Sequence, residues 1–303
     1  MKEIQEKDAR FYPVGIRPDL VCEASEPMKR RRQSRHFPWL SALVLSVIVL
    51  GCVFCRWIMT KDPMYMDLLH YNLPPGGEYL FGTDTMGRDI FSMIWYGGRA
   101  SLCIGFAATA VTTVLAVLIG SVSGLSPGWL DGLLMRLTDI ALSIPGLLLV
   151  IFLQAVFGDA TVWSLSLVIG LTGWMSMAKV VRSEVRQIRA SEYVTASRCM
   201  GAGFLHILRR HLLPNFFPSI MFMVVMNIRT AIVSESTLSF LGMGLPLEVI
   251  SWGSMLSLAE QALSGGSWWM IVIPGGFLVI TLLCVTSLGN YLRRGESRRH
   301  SNL

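Results

Sequence analysis

Long stretches without a charged residue alternate along this chain with short polar segments. Charge-free runs extend from Phe37 to Cys55, Ala100 to Leu130, Ile140 to Gly158, Ala160 to Ala178 and Gln261 to Leu292. A helix needs about 20 mostly apolar residues to cross a hydrocarbon core roughly 30 Å thick, so each run predicts a membrane span. A sixth span is predicted from about Asn215 to Gly242, where Ile220, Met221, Phe222, Val224 and Val225 supply the apolar surface. It contains Arg229 and Glu235, and such charges cost roughly 2.5 to 3.5 kcal/mol each at a helix centre. The third span is predicted to begin near Gly132 and so to include Arg136 and Asp139, an i,i+3 pair that can partly neutralise itself. The pattern predicts an all-α polytopic membrane protein with six transmembrane helices in one domain over residues 37–292.

Composition agrees with that solvent: 52% of residues are hydrophobic and 15% charged, with a mean hydropathy of +0.53. The charges then set the orientation. Lys2, Lys7, Arg10, Arg17, Lys29 to Arg32 and Arg35 precede the first span, and Arg293, Arg294, Arg298 and Arg299 follow the last. Arg182, Arg186, Arg189, Arg198, Arg209 and Arg210 lie between spans four and five, whereas Met243 to Trp268 holds no Lys or Arg. By the positive-inside rule both tails, 1–36 and 293–303, are expected to be cytoplasmic. The net charge of +6 therefore marks helix ends facing the cytoplasm, and no nucleic-acid partner is expected. The arginines ahead of the first span resemble a twin-arginine export signal, but the span is full length and no small-residue cleavage site follows. All 6 cysteines fall in spans or cytoplasmic segments, so no structural disulfide is expected. Cys52 and Cys55 form a C-x-x-C inside an apolar helix without a second ligand pair, which favours packing over a metal site.

Two segments stand out between the spans. Residues 60–98 form an external loop whose turn-rich Pro74-Pro75-Gly76-Gly77 precedes Phe81-Gly82-Thr83-Asp84 and Gly87-Arg88-Asp89. Residues 182–215 form a long, basic cytoplasmic loop. Within it, Glu192 to Met200 reads as a helix, Gly201 and Gly203 as a sharp turn, and Leu205, Leu208 and Leu212 as the buried stripe of a second helix that Pro214 ends. An amphipathic helix lying on the lipid surface would show the same periodicity.

The residues from Glu192 to Pro214 resemble the EAA loop of binding-protein-dependent ABC importer permeases. Thr195, Ala196 and Ser197 occupy the Glu-Ala-Ala positions, Gly201 the central glycine and Pro214 the closing proline, while Thr195, Ser197 and His211 depart from the usual residues. The Glu192-Tyr193-Val194 lead-in looks like the dipeptide, oligopeptide and nickel branch. Phe81, Gly82, Thr83, Asp84, Gly87, Arg88 and Asp89 are similar to that branch's external signature before span two, as are Asp131 to Gly146, Leu238 to Gly242 and Ser251 to Leu256 to later stretches. The likeness fits the C-type subunit of the permease pair.

The resemblance implies a type I ABC importer permease fold in the cytoplasmic membrane of a prokaryote. It implies four kinds of neighbour: a second homologous permease subunit, two ABC ATPase subunits, an extracytoplasmic substrate-binding protein and the lipid bilayer. The loop would couple to the ATPase through Glu192, Tyr193, Thr195, Ala196, Ser197, Gly201, Arg209, Arg210 and Pro214. ATP and Mg would be held by the ATPase subunits, with no cofactor, metal or catalytic residue in this chain. Di- or oligopeptides are the expected cargo, and nickel or a metal chelate the alternative. The chain contains no G-x-x-x-x-G-K-[ST], H-E-x-x-H or G-x-S-x-G sequence, so neither nucleotide hydrolysis nor an intramembrane enzyme is expected. Arg136, Asp139, Arg229 and Glu235 are candidates for the translocation path or its gate, or for ion pairs that hold helices together. In an ion-coupled secondary transporter, the rival class, Asp139 and Glu235 would titrate, but the paired broken helices of an internal repeat are not evident.

Overall fold

The computed structural model describes residues 37–246, 248–262 and 266–296. The N-terminal tail 1–36 and the end of the C-terminal tail lie outside them. The regular structure of the described residues is helical, apart from one isolated bridge between Thr83 and Asp89. Helices α1 (Trp39–Val53) and α2 (Cys55–Ile58) make a first apolar element that is broken only at Phe54. A hairpin over residues 59–89 then leads to α3 (Ile90–Leu125), whose 36 residues extend about 54 Å, well beyond a hydrocarbon core.

The third span is not the single helix expected. It consists of α4 (Gly128–Leu142) and α5 (Gly146–Phe157), which meet at 93°. Pro145 explains the break, because its nitrogen cannot donate a hydrogen bond and its ring disfavours helical geometry at Ile144. The fourth span, α6 (Val162–Arg189), starts at a capping box in which the Thr161 hydroxyl accepts from the Ser164 N–H and Ser164 Oγ accepts from the Thr161 N–H.

Past α6 lie α7 (Glu192–Cys199), α8 (Phe204–Ile207) and a wide turn, Leu208–Leu212, of π type. These lead directly into α9 (Leu213–Phe240), so that Phe204–Phe240 is one helical run of 37 residues. Pro214 therefore does not end the helix, contrary to expectation. It sits at the start of α9, just after a π turn whose longer hydrogen-bonded ring leaves room for a residue without an N–H. A short helix α10 (Trp252–Ala262) precedes the last span, α11 (Trp269–Glu296). Four single helices, the bent pair and the shorter Trp39–Val53 together supply six apolar elements.

The core runs the length of the bundle in three clusters. Near the hairpin, Trp252, Met93, Ile94 and Met270 pack with Cys52. Midway, Ile104, Leu165, Val168 and Leu238 meet, and at the opposite end Met177, Val181, Leu212 and Phe216 do so. Helices α3 and α6 approach closely because small residues line their seam. A Cβ on Gly120 would stand 2.6 Å from the Ala178 carbonyl oxygen, and one on Gly170 would stand 2.6 Å from Val111 Cβ. Without a hydrophobic drive between helices in lipid, such close packing is what holds spans together.

Candidate functional site

At the end of the bundle opposite the hairpin, α7 and α8 form a bracket under α3 and α6. Val194 of α7 is completely buried, and Ile207, Leu208 and Leu212 sink into the same cluster as Val185 and Phe216. The buried stripe thus differs from the predicted one: Leu205 is 73% exposed, and Ile207 takes the inward position. Leu208 and Leu212, at the two ends of the π turn, are buried as expected, and only Leu205, in the short α8 before it, turns outward.

Between the two helices Gly201 has φ +84, a left-handed conformation, and the Ala202 N–H donates to the Ser197 carbonyl at 3.1 Å, closing α7 with a Schellman-type turn. The turn presents Met200, Phe204 and Leu205 outward, beside exposed Thr195 and Ala196. Glu192, Tyr193, Arg209, Arg210 and Pro214 are likewise exposed, whereas Ser197 is buried. Tyr193 reaches back to the second half of the bracket, with its hydroxyl 3.3 Å from Asn215 Nδ2 and its ring 5.8 Å from that of His211. The bracket therefore has an apolar anchor facing the bundle and an open rim of mixed polarity.

A ladder of charges rises from this bracket between α4 and α6. Asp131, only 3% exposed, receives Arg182 Nε at 2.5 Å on one oxygen and Arg182 Nη2 at 2.6 Å on the other. Arg186 also pairs with it, and Ser123 Oγ of α3 donates to it at 2.5 Å. One carboxylate thus ties three helices. A second rung joins Asp139 of α4 to Lys179 of α6. The expected Arg136 and Asp139 pair is not formed: Asp139 turns to Lys179, and Arg136 is exposed. Below the ladder, Arg189 donates to the terminal carbonyl of Leu125 at 3.1 Å, placing a cation at the negative end of the α3 dipole.

The other intramembrane candidates separate. Arg229 is exposed on α9, whereas Glu235 is fully buried in the interior. Its Oε2 accepts from Ser101 Oγ at 3.1 Å and Ser236 Oγ at 3.3 Å, and its Oε1 from Ser239 Oγ at 3.0 Å and Ser251 Oγ at 2.8 Å. The Trp252 N–H donates to Ser101 Oγ at 3.2 Å, so this serine cage clamps α3, α9 and the approach to α10. Glu235 faces hydroxyls, which stabilise a buried polar group.

In the hairpin the external signature forms a knot. Arg88 Nε donates to Asp84 Oδ2 at 2.7 Å with both side chains buried, and Asp89 caps α3 by accepting from the Ser92 N–H at 3.1 Å. Thr60 Oγ1 donates to Asp89 Oδ2 at 2.9 Å, which ties the end of the first span to the start of α3. Thr83 Oγ1 donates to the His70 carbonyl at 2.6 Å, and its own carbonyl accepts from Trp269 Nε1 of α11 at 3.2 Å. Phe81 packs edge-on against Phe91. Gly87, at φ +73, has no room for a side chain, since a Cβ would stand 1.8 Å from the Asp67 carbonyl oxygen; at Gly82, φ +80, it would meet Leu73 O at 2.5 Å. The signature residues thus organise the hairpin rather than an open site.

Sequence reasoning singled out the rim of the bracket and two of its anchoring residues, Leu208 and Leu212, but missed Val194, Ile207 and the ladder. Val194 carried a signal, as the apolar residue flanked by Tyr193 and Thr195. Lys179 did not, because its partner Asp139 lies 40 residues away on another helix.

A bundle of apolar spans with a bracket of two short helices at one end and a knotted hairpin at the other defines a membrane-embedded permease component. The chain belongs to the family of binding-protein-dependent transport system inner membrane components, whose pattern it matches over residues 116–298. It is 35% identical over 263 residues to the oligopeptide transport system permease protein OppC of Bacillus subtilis (strain 168), covering 87% of this chain and 86% of that one. It is 33% identical over 264 residues to the dipeptide transport system permease protein DppC of the same organism, covering 87% and 82%. A putative peptide permease protein of Brucella suis biovar 1 (strain 1330) is 36% identical over 238 residues, 78% of each chain.

Proposed function

We propose that this permease component carries di- or oligopeptides across the cytoplasmic membrane, with ATP and Mg held by two separate ATPase subunits beneath it. The roles of the relatives in oligopeptide and dipeptide transport support peptide as the cargo. The single observation that carries the coupling role is the bracket: Val194, Ile207, Leu208 and Leu212 anchor it, while the Gly201 turn holds Met200, Phe204 and Leu205 out for a partner. With the bracket on the cytoplasmic side, as its arginines favour, both termini are cytoplasmic and the hairpin faces the substrate-binding protein.

In this reading ATPase closure pushes on the bracket, and α6 carries the movement upward. The Asp131 and Asp139 rungs pass it to α4, which turns against α5 at the break near Pro145. ATP binding favours one arrangement only by contacting it better than the other, and the bracket is where that difference enters. Arg136 and Arg229 are exposed on spans, without an ion pair among the described residues; lipid is a costly neighbour for them, so they face the path between this subunit and a second permease. Glu235 is a clamp.

The test is uptake by the complete complex in liposomes with its binding protein. Labelled peptide is expected to accumulate only with ATP. Uptake that persists without the ATPase subunits would overturn the importer reading, and ATP-driven uptake of chelated nickel but not of peptide would overturn the cargo.

A further inference from the structure

We propose that the hairpin end of the first span holds the phosphate of an anionic phospholipid, in a crevice between α2 and α3. The crevice has a volume of about 420 Å³, within the range of small-molecule sites, and is lined by Arg56, Thr60, Lys61, Asp62 and Tyr96 among others. One turn beyond Tyr96, the Arg99 guanidinium carbon lies 5.8 Å from the Tyr96 ring centroid, and Arg99 Nη1 stands 3.6 Å from Cys55 Sγ.

The charges around this crevice do not balance internally. Lys61 is already committed to Glu78, 3.1 Å away, and lies over the Tyr79 ring at 3.6 Å. Asp62 Oδ1 is turned to the Met64 N–H at 2.9 Å. Arg56 and Arg99 are both exposed and have no carboxylate partner among the described residues. Two guanidiniums so placed call for an anion, and a guanidinium fork matches phosphate oxygens in geometry as well as charge.

The neighbouring surface says which anion. Leu43, Val47, Leu50, Phe54 and Trp57 form an exposed apolar face on α1 and α2 that leads to the crevice. Trp57, 87% exposed beside Arg56, suits the level of the headgroups, where amphipathic rings collect. Acyl chains lying on that face bring a headgroup phosphate to Arg56 without any diffusing ligand. The inference rests on the chain being embedded in the bilayer and is independent of what it transports.

The complete importer, reconstituted in nanodiscs of mixed phosphatidylglycerol and phosphatidylcholine and then released for native mass spectrometry, is expected to retain phosphatidylglycerol in preference. Arg56→Gln alters an exposed side chain with no ion pair among the described residues, so it is expected to assemble normally and to bind that lipid about fivefold more weakly, the scale of one basic contact. Arg56→Lys is expected to fall between the two. Equal retention by wild type and Arg56→Gln would overturn the proposal, as would equal retention of phosphatidylcholine. Displacement of the lipid by millimolar inorganic phosphate would also overturn it, by making the site one for free anions.

Discussion

Replacing Asp131 by Asn tests whether the ladder transmits force. The substitution keeps the shape of the side chain and removes the charge that Arg182 and Arg186 share. Breaking a buried ion pair by losing one partner typically costs about 3 to 5 kcal/mol. Here Arg182 and Arg186 are 26% and 50% exposed, so water recovers part of their solvation. A loss of about 2 kcal/mol is therefore expected, which corresponds to roughly 30-fold in the preference for α4 moving with α6. Insertion and ATPase copurification should be unchanged, since the bracket anchor is untouched. Peptide imported per ATP hydrolysed should fall by about tenfold in proteoliposomes. Arg182→Gln should act similarly, and the double variant should lose less than the sum of the two, because both remove one shared interaction. An unchanged ratio of transport to hydrolysis, or strictly additive losses, would refute the transmission role.

Three further outcomes follow from the same geometry. Gly201→Val, at φ +84 in open space, should strain the turn by about 1 to 2 kcal/mol and reduce ATPase copurification while leaving membrane insertion intact; full copurification would count against the bracket as the docking element. Gly87→Ala should disrupt the hairpin, because no flexible side chain but the Asp67 backbone occupies the space, and protease sensitivity confined to residues 59–89 would report it. Glu235→Gln keeps an acceptor for the serine cage and should leave peptide KM unchanged, whereas Glu235→Leu should lower thermal stability by about 3 kcal/mol by orphaning buried hydroxyls; a KM change in the Gln variant would restore Glu235 to the path.

The spans were legible because hydrocarbon imposes one requirement on every residue it touches, and the charge-free runs record it directly. The position of Gly201 was legible for a comparable reason: a left-handed turn between two helices strongly favours glycine. Pro145 and Pro214 show where local reading stops. Both lack a donor, yet Pro145 accompanies a 93° break while Pro214 lies in a helix that continues. The difference is the π turn at Leu208–Leu212, set by Leu208 and Leu212 packing into a cluster built from distant helices. The ion pairs were misread through the same limitation. Arg136 is the near neighbour of Asp139 in sequence, but the packing of α4 beside α6 brings Lys179 to it instead.

That seam also explains why so few charges could serve as mechanical links. Gly120 and Gly124 let α3 lie directly on Ala178, Val181 and Val185 of α6, so the pair has little freedom to slide without collision. A push at the bracket, which packs on both helices, would move them as one unit. Helix α4 lacks such a seam: much of its apolar surface, including Leu133, Leu137 and Ile140, is exposed. Its hold on α6 therefore depends on Asp131 and Asp139 to a degree that apolar packing does not replace, and if the bracket couples as proposed, charge rather than shape is where that coupling would be cut.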